Sequence, residues 1–167
     1  MQSNLLVTYN PAHPGKAEKE VRAILDDFGE FEFIDSTTPG VFLIHAKDVK
    51  NTIVKLNHMP QDSFENTYKW VPIETWVKTD VKEMSPVLKS YNNHIEENES
   101  WKLVLFKRLY DDHTTTELIQ LLTDNIDREN VDLKNPQKLV VVEIVGSKTG
   151  LSLLNRNEYL DTQKMRG

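Results

Sequence analysis

Six consecutive residues, Leu139-Val140-Val141-Val142-Glu143-Ile144, constrain this chain more than any other stretch. An apolar run without polar alternation, rich in β-branched side chains, predicts a strand buried on both faces, as in sheets built with helical crossovers. The residues before it supply such a crossover. Trp101 to Leu109 predicts a strand, and Thr115 to Asp127 a helix whose apolar face is Leu118, Ile119, Leu121, Leu122 and Ile126. Thr114-Thr115-Thr116-Glu117 has the spacing of a capping box. Strand, helix and the buried strand over 138–145 make a right-handed crossover with parallel strands. A second short apolar run, Leu151 to Leu154, follows.

The first half has a different order. Asn4 to Tyr9 predicts a strand, and Ala17, Val21, Ile24, Leu25 and Phe28 form one stripe of a helix with Gly29 placed to cap its end. Phe31–Ile34 and Val41–His45 flank a turn at Ser36-Thr37-Thr38-Pro39-Gly40 and predict a hairpin. Asp48 caps a short helix bearing Val49, Ile53 and Leu56, and a last strand runs from about Lys69 to Val77, limited by Pro72, which gives no ladder donor. Strand, helix, strand, strand, helix, strand is the split βαββαβ pattern of a ferredoxin-like fold. The expected division is a ferredoxin-like domain over 1–80 and an α/β domain with a partly parallel sheet over 81–167. The linker is placed at Thr79 to Glu83, and Ser85-Pro86 opens the next helix, with Leu88, Tyr91 and Ile95 on its buried face.

Composition excludes several classes. At 167 residues, the chain is sufficient for two small units and too short for a large multi-domain enzyme. It contains no cysteine, so disulfides, thiolate nucleophiles and cysteine-bearing zinc sites are ruled out. The apolar runs are too short to span a bilayer, and no basic-then-apolar signal opens the chain, so the reading is a soluble cytoplasmic protein without a membrane. The net charge of −6 opposes nucleic acid, but the excess is confined: residues 1–100 carry all of it and residues 101–167 are neutral.

No enzyme signature emerges. Gly146-Ser147-Lys148-Thr149-Gly150 has the composition of a phosphate loop but neither its order nor a following helix, and predicts a simple turn. The histidines at 13, 45, 58, 94 and 113 never fall at helical ligand spacing. Asp111-Asp112-His113 could in principle hold a divalent metal, but acids before a helix are what the helix dipole favours, and that is the preferred reading. The basic residues near the edges of the second half are Lys102, Lys107, Arg108, Lys134, Lys138, Lys148, Arg156, Lys164 and Arg166, and taken alone such scattered cations read as a solvated surface.

The order of elements from Trp101 to the end resembles a THUMP domain. The resemblance is carried by the strand ending Phe106-Lys107-Arg108, the helix with Thr116-Glu117-Leu118-Ile119, the Asp132-Leu133-x-Asn135-Pro136 turn, Glu143-Ile144-x-Gly146, and the closing Tyr159 and Lys164. It implies an RNA-binding module of the kind found in tRNA-modifying enzymes, behind a small ferredoxin-like domain, and is nearest to stand-alone THUMP adaptors of tRNA cytidine acetylation. It further implies a grip on the tRNA acceptor end, including its single-stranded 3′ tail. Residue by residue, Lys107 and Arg108 would stand at the basic strand end, Lys134 and Asn135 in the proline turn, and Arg156 and Lys164 in the closing segment, with Lys148 and Arg166 adding charge. Trp101 and Tyr159 would stack on bases or belong to the core.

The expected function is therefore a non-catalytic tRNA-binding adaptor, without a cofactor or a metal of its own, presenting tRNA to a separate enzyme such as a tRNA cytidine acetyltransferase. Two alternatives stand beside it: a metal-dependent hydrolase acting on RNA through Asp111, Asp112 and His113, and an RNA-independent protein-interaction scaffold using the acidic first half.

Overall fold

The computed structural model describes residues 2–36 and 38–164. Its elements begin with β1 (Leu5–Tyr9), α1 (Pro14–Asp26), β2 (Phe31–Ile34), β3 (Val41–Ala46), α2 (Val49–Leu56) and β4 (Thr67–Pro72). Proline at the first position of α1 gives up an amide that has no helical partner, and Ala17, Val21, Ile24 and Leu25 bury the stripe that the spacing predicts. Gly29, at φ 119, turns the chain toward β2 in a conformation open to glycine. The strands lie in the order β2-β3-β1-β4, and every neighbouring pair is antiparallel. Leu5, Val7, Ile44, Ile53, Leu56 and Trp70 form the core of this unit. The Trp70 indole donates to Thr67 Oγ1 at 3.0 Å, so the buried N–H is satisfied.

The second unit contains β5 (Thr75–Lys78), α3 (Val81–Ser90), β6 (Trp101–Arg108), α4 (Thr115–Thr123), β7 (Lys138–Val145) and β8 (Lys148–Asn155). Its sheet order is β5-β8-β7-β6. β6 and β7 run parallel, with Trp101 opposite Lys138 and Arg108 opposite Val145, while the other pairs are antiparallel. Leu139 through Ile144 are all buried, as their lack of alternation requires. Thr114 caps α4 by accepting from the Glu117 amide at 3.1 Å. Met84, Leu88, Leu118, Leu122, Val140, Val142 and Ile144 form the core between the helices and the sheet. The expected mixed α+β architecture with two sheets, one partly parallel, is present.

Several local expectations fail for physical reasons. The single strand expected over 69–77 is two strands in two sheets. Pro72 closes β4, Ile73 donates to Asn4 O, and Glu74 donates to Leu151 O. The expected linker at 79–83 is the start of α3. Asp80 Oδ1 accepts from the Lys82 amide at 2.9 Å and Glu83 sits in the first turn, so Asp80 caps the helix and Ser85-Pro86 lies inside it. Ser85 Oγ donates to Val81 O at 2.7 Å in the turn before Pro86.

The chain also returns. β9 (Leu160–Asp161) pairs antiparallel with β4, placing Leu160 opposite Trp70 in the first core. The two units are thus Met1–Ile73 with Asn157–Gly167, and Glu74–Arg156. This division departs from the expected 1–80 and 81–167 at both ends: the strand at 75–78 joins the second sheet, and the closing segment joins the first. Among the described residues no helix is long and apolar enough to cross a membrane.

Val141 is fully buried in the middle of β7. Val141→Asp should cost the second unit about 3–5 kcal/mol, because the carboxylate would have no partner there. A thermal melt followed by circular dichroism in which the variant matches the parent would contradict the burial described.

Candidate nucleic-acid interface

The cations of the second unit are placed by the register of its sheet, and the register separates them. β7 has eight residues, so its two ends stand about 23 Å apart. At the end where β6 and β7 begin, the loop after α4 is fixed by Asp132. Trp101 N–H donates to Asn130 O and Asp132 N–H to Trp101 O, which ties the loop to the start of β6. Asp132 Oδ1 then accepts from the Lys134 amide at 3.0 Å and the Asn135 amide at 2.9 Å. Those two bonds, with help from Arg156, hold the Asp132 carboxyl below the usual carboxylate range. Pro136 is buried, while Lys134 and Asn135 project into solvent. Lys102 Nζ reaches Leu133 O at 3.5 Å, and Arg156 N–H bonds Gln137 O at 3.3 Å. Lys134, Asn135, Arg156 and Lys102 therefore share one end of the sheet. Lys138, at the same end, donates to Asn155 Oδ1 at 2.7 Å.

The opposite end holds Lys107, Arg108 and Lys148. β7 and β8 are joined by Gly146-Ser147, with Gly146 at φ 61, the positive value that a type II′ hairpin turn needs at its first loop residue. The glycine-rich stretch is the simple turn expected. Gly146 N–H donates to Arg108 O at 2.8 Å, bringing the hairpin tip beside the end of β6. Across β5, β8, β7 and β6 the row at this end is Lys78, Lys148, Val145 and Arg108. The next row on the same face is Trp76, Gly150, Glu143 and Phe106, with Phe106 40% exposed. Lys78 was missed by sequence reasoning, because only the pairing of β5 with β8 brings it opposite Lys148.

Arg108 is not the freely solvated charge that its strand-end position suggests. Its Nη1 lies 2.9 Å from Glu143 Oε1; the arginine side chain is 19% exposed and the carboxylate is fully buried. Lys107 Nζ donates to His113 O at 3.0 Å and closes the loop before α4. Within that loop Tyr110 Oη and His113 Nδ1 are 2.7 Å apart and the two rings stack. Partial burial, then the nearby Asp112 and Asp80, raise the Tyr110 hydroxyl above its ordinary value.

The remaining candidates are scattered. Lys164 is exposed beyond β9, in the first unit, and Arg166 lies outside the described residues. Trp101 is buried, its indole donating to Arg128 O at 3.1 Å, which makes it a core residue. Arg128 itself donates to the carbonyls of Ile95, Asp127 and Asn92, a structural use of a cation. Asp111 and Asp112 are exposed, and among the described residues no group of three or more histidines and carboxylates could hold a metal ion. Asp111, Asp112 and His113 do not form such a group.

Residues 92–154 match the THUMP domain. No curated protein matches the sequence. PH1313 from Pyrococcus horikoshii Ot3 is similar in structure at 14% identity and a TM-score of 0.64, covering 95% of this chain and 55% of that one. TrmN from Thermus thermophilus is similar at 15% identity and a TM-score of 0.60, covering 89% and 44%. A 4-thiouridine synthetase solved in complex with RNA and bound ATP is similar at 15% identity and a TM-score of 0.52, covering 96% and 42%. At these identities the likeness is one of fold, and this chain spans about half, or less, of the length of those structures.

Two consequences separate structural from exposed charges. Arg108→Glu should destabilise the second unit by about 3–5 kcal/mol, since it faces the buried Glu143 with a second carboxylate, whereas Lys134→Glu should move stability by no more than about 0.5 kcal/mol. Equal melting temperatures for the two variants would contradict the buried ion pair. Because the folded Asp132 is depressed, its bonds should survive acidification through the ordinary carboxylate range and be lost only below it. The amide shifts of Lys134 and Asn135 followed by NMR against pH would show this as a low midpoint, and an ordinary one would contradict it.

Proposed function

From the match of residues 92–154 to the THUMP domain, we propose that this chain is a non-catalytic tRNA-binding adaptor that presents the acceptor end of tRNA to a separate tRNA-modifying enzyme, a tRNA cytidine acetyltransferase. The observation that carries the reading is the row of Lys78, Lys148 and Arg108 across one face of the sheet, with Trp76 and Phe106 in the row beside it. Cations that follow phosphates, next to aromatic rings on which bases stack, are what single-stranded nucleic acid requires. Lys134, Asn135 and Arg156 at the far end of the sheet extend the contact, and Lys107 adds charge at the near end. A similar fold in the 4-thiouridine synthetase is seen with RNA bound. The first unit is read as a ferredoxin-like domain, supported by the order β2-β3-β1-β4 with all neighbours antiparallel and the two helices in the crossovers.

Binding of this kind depends on few phosphate contacts against a net charge of −6, so affinity should fall log-linearly with salt. Lys148→Glu and Lys134→Glu should each weaken tRNA retention in filter binding, with the salt slope shallower by about 1 and the melting temperature unchanged. No retention of tRNA by the parent even at low ionic strength would overturn the reading.

Incubated with tRNA and acetyl donor, the chain alone should modify nothing, while it should stimulate the acetyltransferase most at low tRNA concentration. Tethering raises effective concentration to about the millimolar range, and contributed binding lowers the Michaelis constant without raising turnover. Mass spectrometry of tRNA nucleosides decides: acetylation by the adaptor alone, or equal rates with and without it, would contradict the proposal.

A further inference from the structure

β6 ends its sheet, with β7 on one side and, among the described residues, no strand on the other. The hydrogen bonds show which backbone groups face that open side. Trp101 uses both its N–H and its C=O outward, toward Asn130 and Asp132, whereas Arg108 O faces inward to Gly146. Alternation along the strand then turns the N–H and C=O of Leu103, Leu105 and Lys107 outward. Among the described residues no hydrogen bond occupies them. The register with β7 is unbroken over all eight residues, and the strand contains neither proline nor bulge.

Native edges are normally blunted, and a long straight one that stays open is a template for another strand. Side chains at its ends point the same way. Leu133 is 73% exposed beside the start of β6 and Leu109 is 74% exposed just past its end. Leu109 also holds φ 58, a left-handed conformation that costs a leucine about 1–2 kcal/mol and glycine almost nothing, so folding alone gives no reason for leucine there.

Charge selects the occupant. β6 carries Lys102, Lys107 and Arg108 and no acid, and of these Arg108 is already paired with Glu143 of β7, so the lysines set the charge of the edge. A second copy added antiparallel about Leu105 would set Lys102 opposite Arg108 of that copy, and like charges directly opposed are destabilising. RNA could satisfy the lysines, but a phosphate backbone cannot complete a ladder of alternating donors and acceptors. We propose that β6 is the docking edge for an extended segment of a partner protein, alternating apolar and acidic residues, which adds as a fifth strand to this sheet. The inference deepens the adaptor reading and rests on it for the existence of a protein partner.

The test uses the full chain and three synthetic ten-residue peptides: alternating Val and Glu, alternating Val and Lys, and the Val/Glu peptide interrupted by proline. Amide hydrogen exchange is read by NMR, with tRNA binding measured separately on filters. In the free protein the amides of Leu103, Leu105 and Lys107 should exchange fast and those of Val104 and Phe106 slowly. The Val/Glu peptide should slow the first three by about 10-fold or more, and the other two peptides should not. Leu105→Pro removes an N–H that faces outward, so it loses no ladder bond, and it should abolish the peptide effect while retaining tRNA binding. Protection that grows with protein concentration alone would assign the edge to a second copy, and protection by tRNA alone would assign it to RNA; either result, or no protection by any peptide, overturns the proposal. Should Leu105→Pro fail to fold, the exchange pattern of the parent chain decides by itself. Peptide protection in a chain that retains no tRNA would refute the RNA-binding reading and leave the edge assignment standing.

Discussion

The second unit depends on one strand whose six central residues, Leu139 to Ile144, are buried. Six consecutive buried residues of β7 can exist only if both ladder sides are paired and both faces are covered. β6 supplies the parallel neighbour, β8 the antiparallel one, and α3 and α4 the apolar cover over Val140, Val142 and Ile144. Glu143 is the exception within the run. A carboxylate at full burial is tolerated because Arg108, at the end of the neighbouring strand, meets it at 2.9 Å. That pair also fixes how the end of β6 sits against β7, and with it the position of the hairpin tip that carries Lys148.

How much of this could be read from the chain varies with the range of the signal. The crossover from β6 through α4 to β7 was legible because each part is marked locally: Thr114 and Glu117 at a helix start, an unbroken apolar run at the buried strand. Asp80 and Glu83 carry the same capping spacing as Thr114 and Glu117, but the polar setting from Thr79 to Glu83 looked like a linker and Ser85-Pro86 offered a competing start. Pro72 was recognised as a limit on its strand, yet nothing local says that the residues on its two sides join different sheets. β9 is two residues long, and only the apolar Leu160 beside Trp70 explains it.

The candidate site was legible as a set of cations and illegible as an arrangement. Lys107, Arg108, Lys134, Asn135, Lys148 and Arg156 are the residues named from the sequence, but their separation into two ends of one sheet follows from register, which no local pattern encodes. Asp132 shows the difference. Its place in the turn was evident, whereas its work as the acceptor that shapes Lys134 and Asn135 is visible only in the hydrogen bonds. Arg108 moved furthest, from a solvated contact to a partly buried charge paired with Glu143 that can meet a ligand only at its exposed edge.

The central claim is the proposal that tRNA is held by the cations of the second unit, Lys78 and those of residues 101–156, and not by the acidic first unit. Photo-crosslinking of the full chain to tRNA, with the crosslinked peptides identified by mass spectrometry, tests it most directly. Crosslinks should concentrate at 75–78, 101–108, 131–138 and 145–156, the segments that carry Lys78, Lys107, Lys134, Lys148 and Arg156. Crosslinks confined to residues 10–60, or none at low salt, would contradict the account.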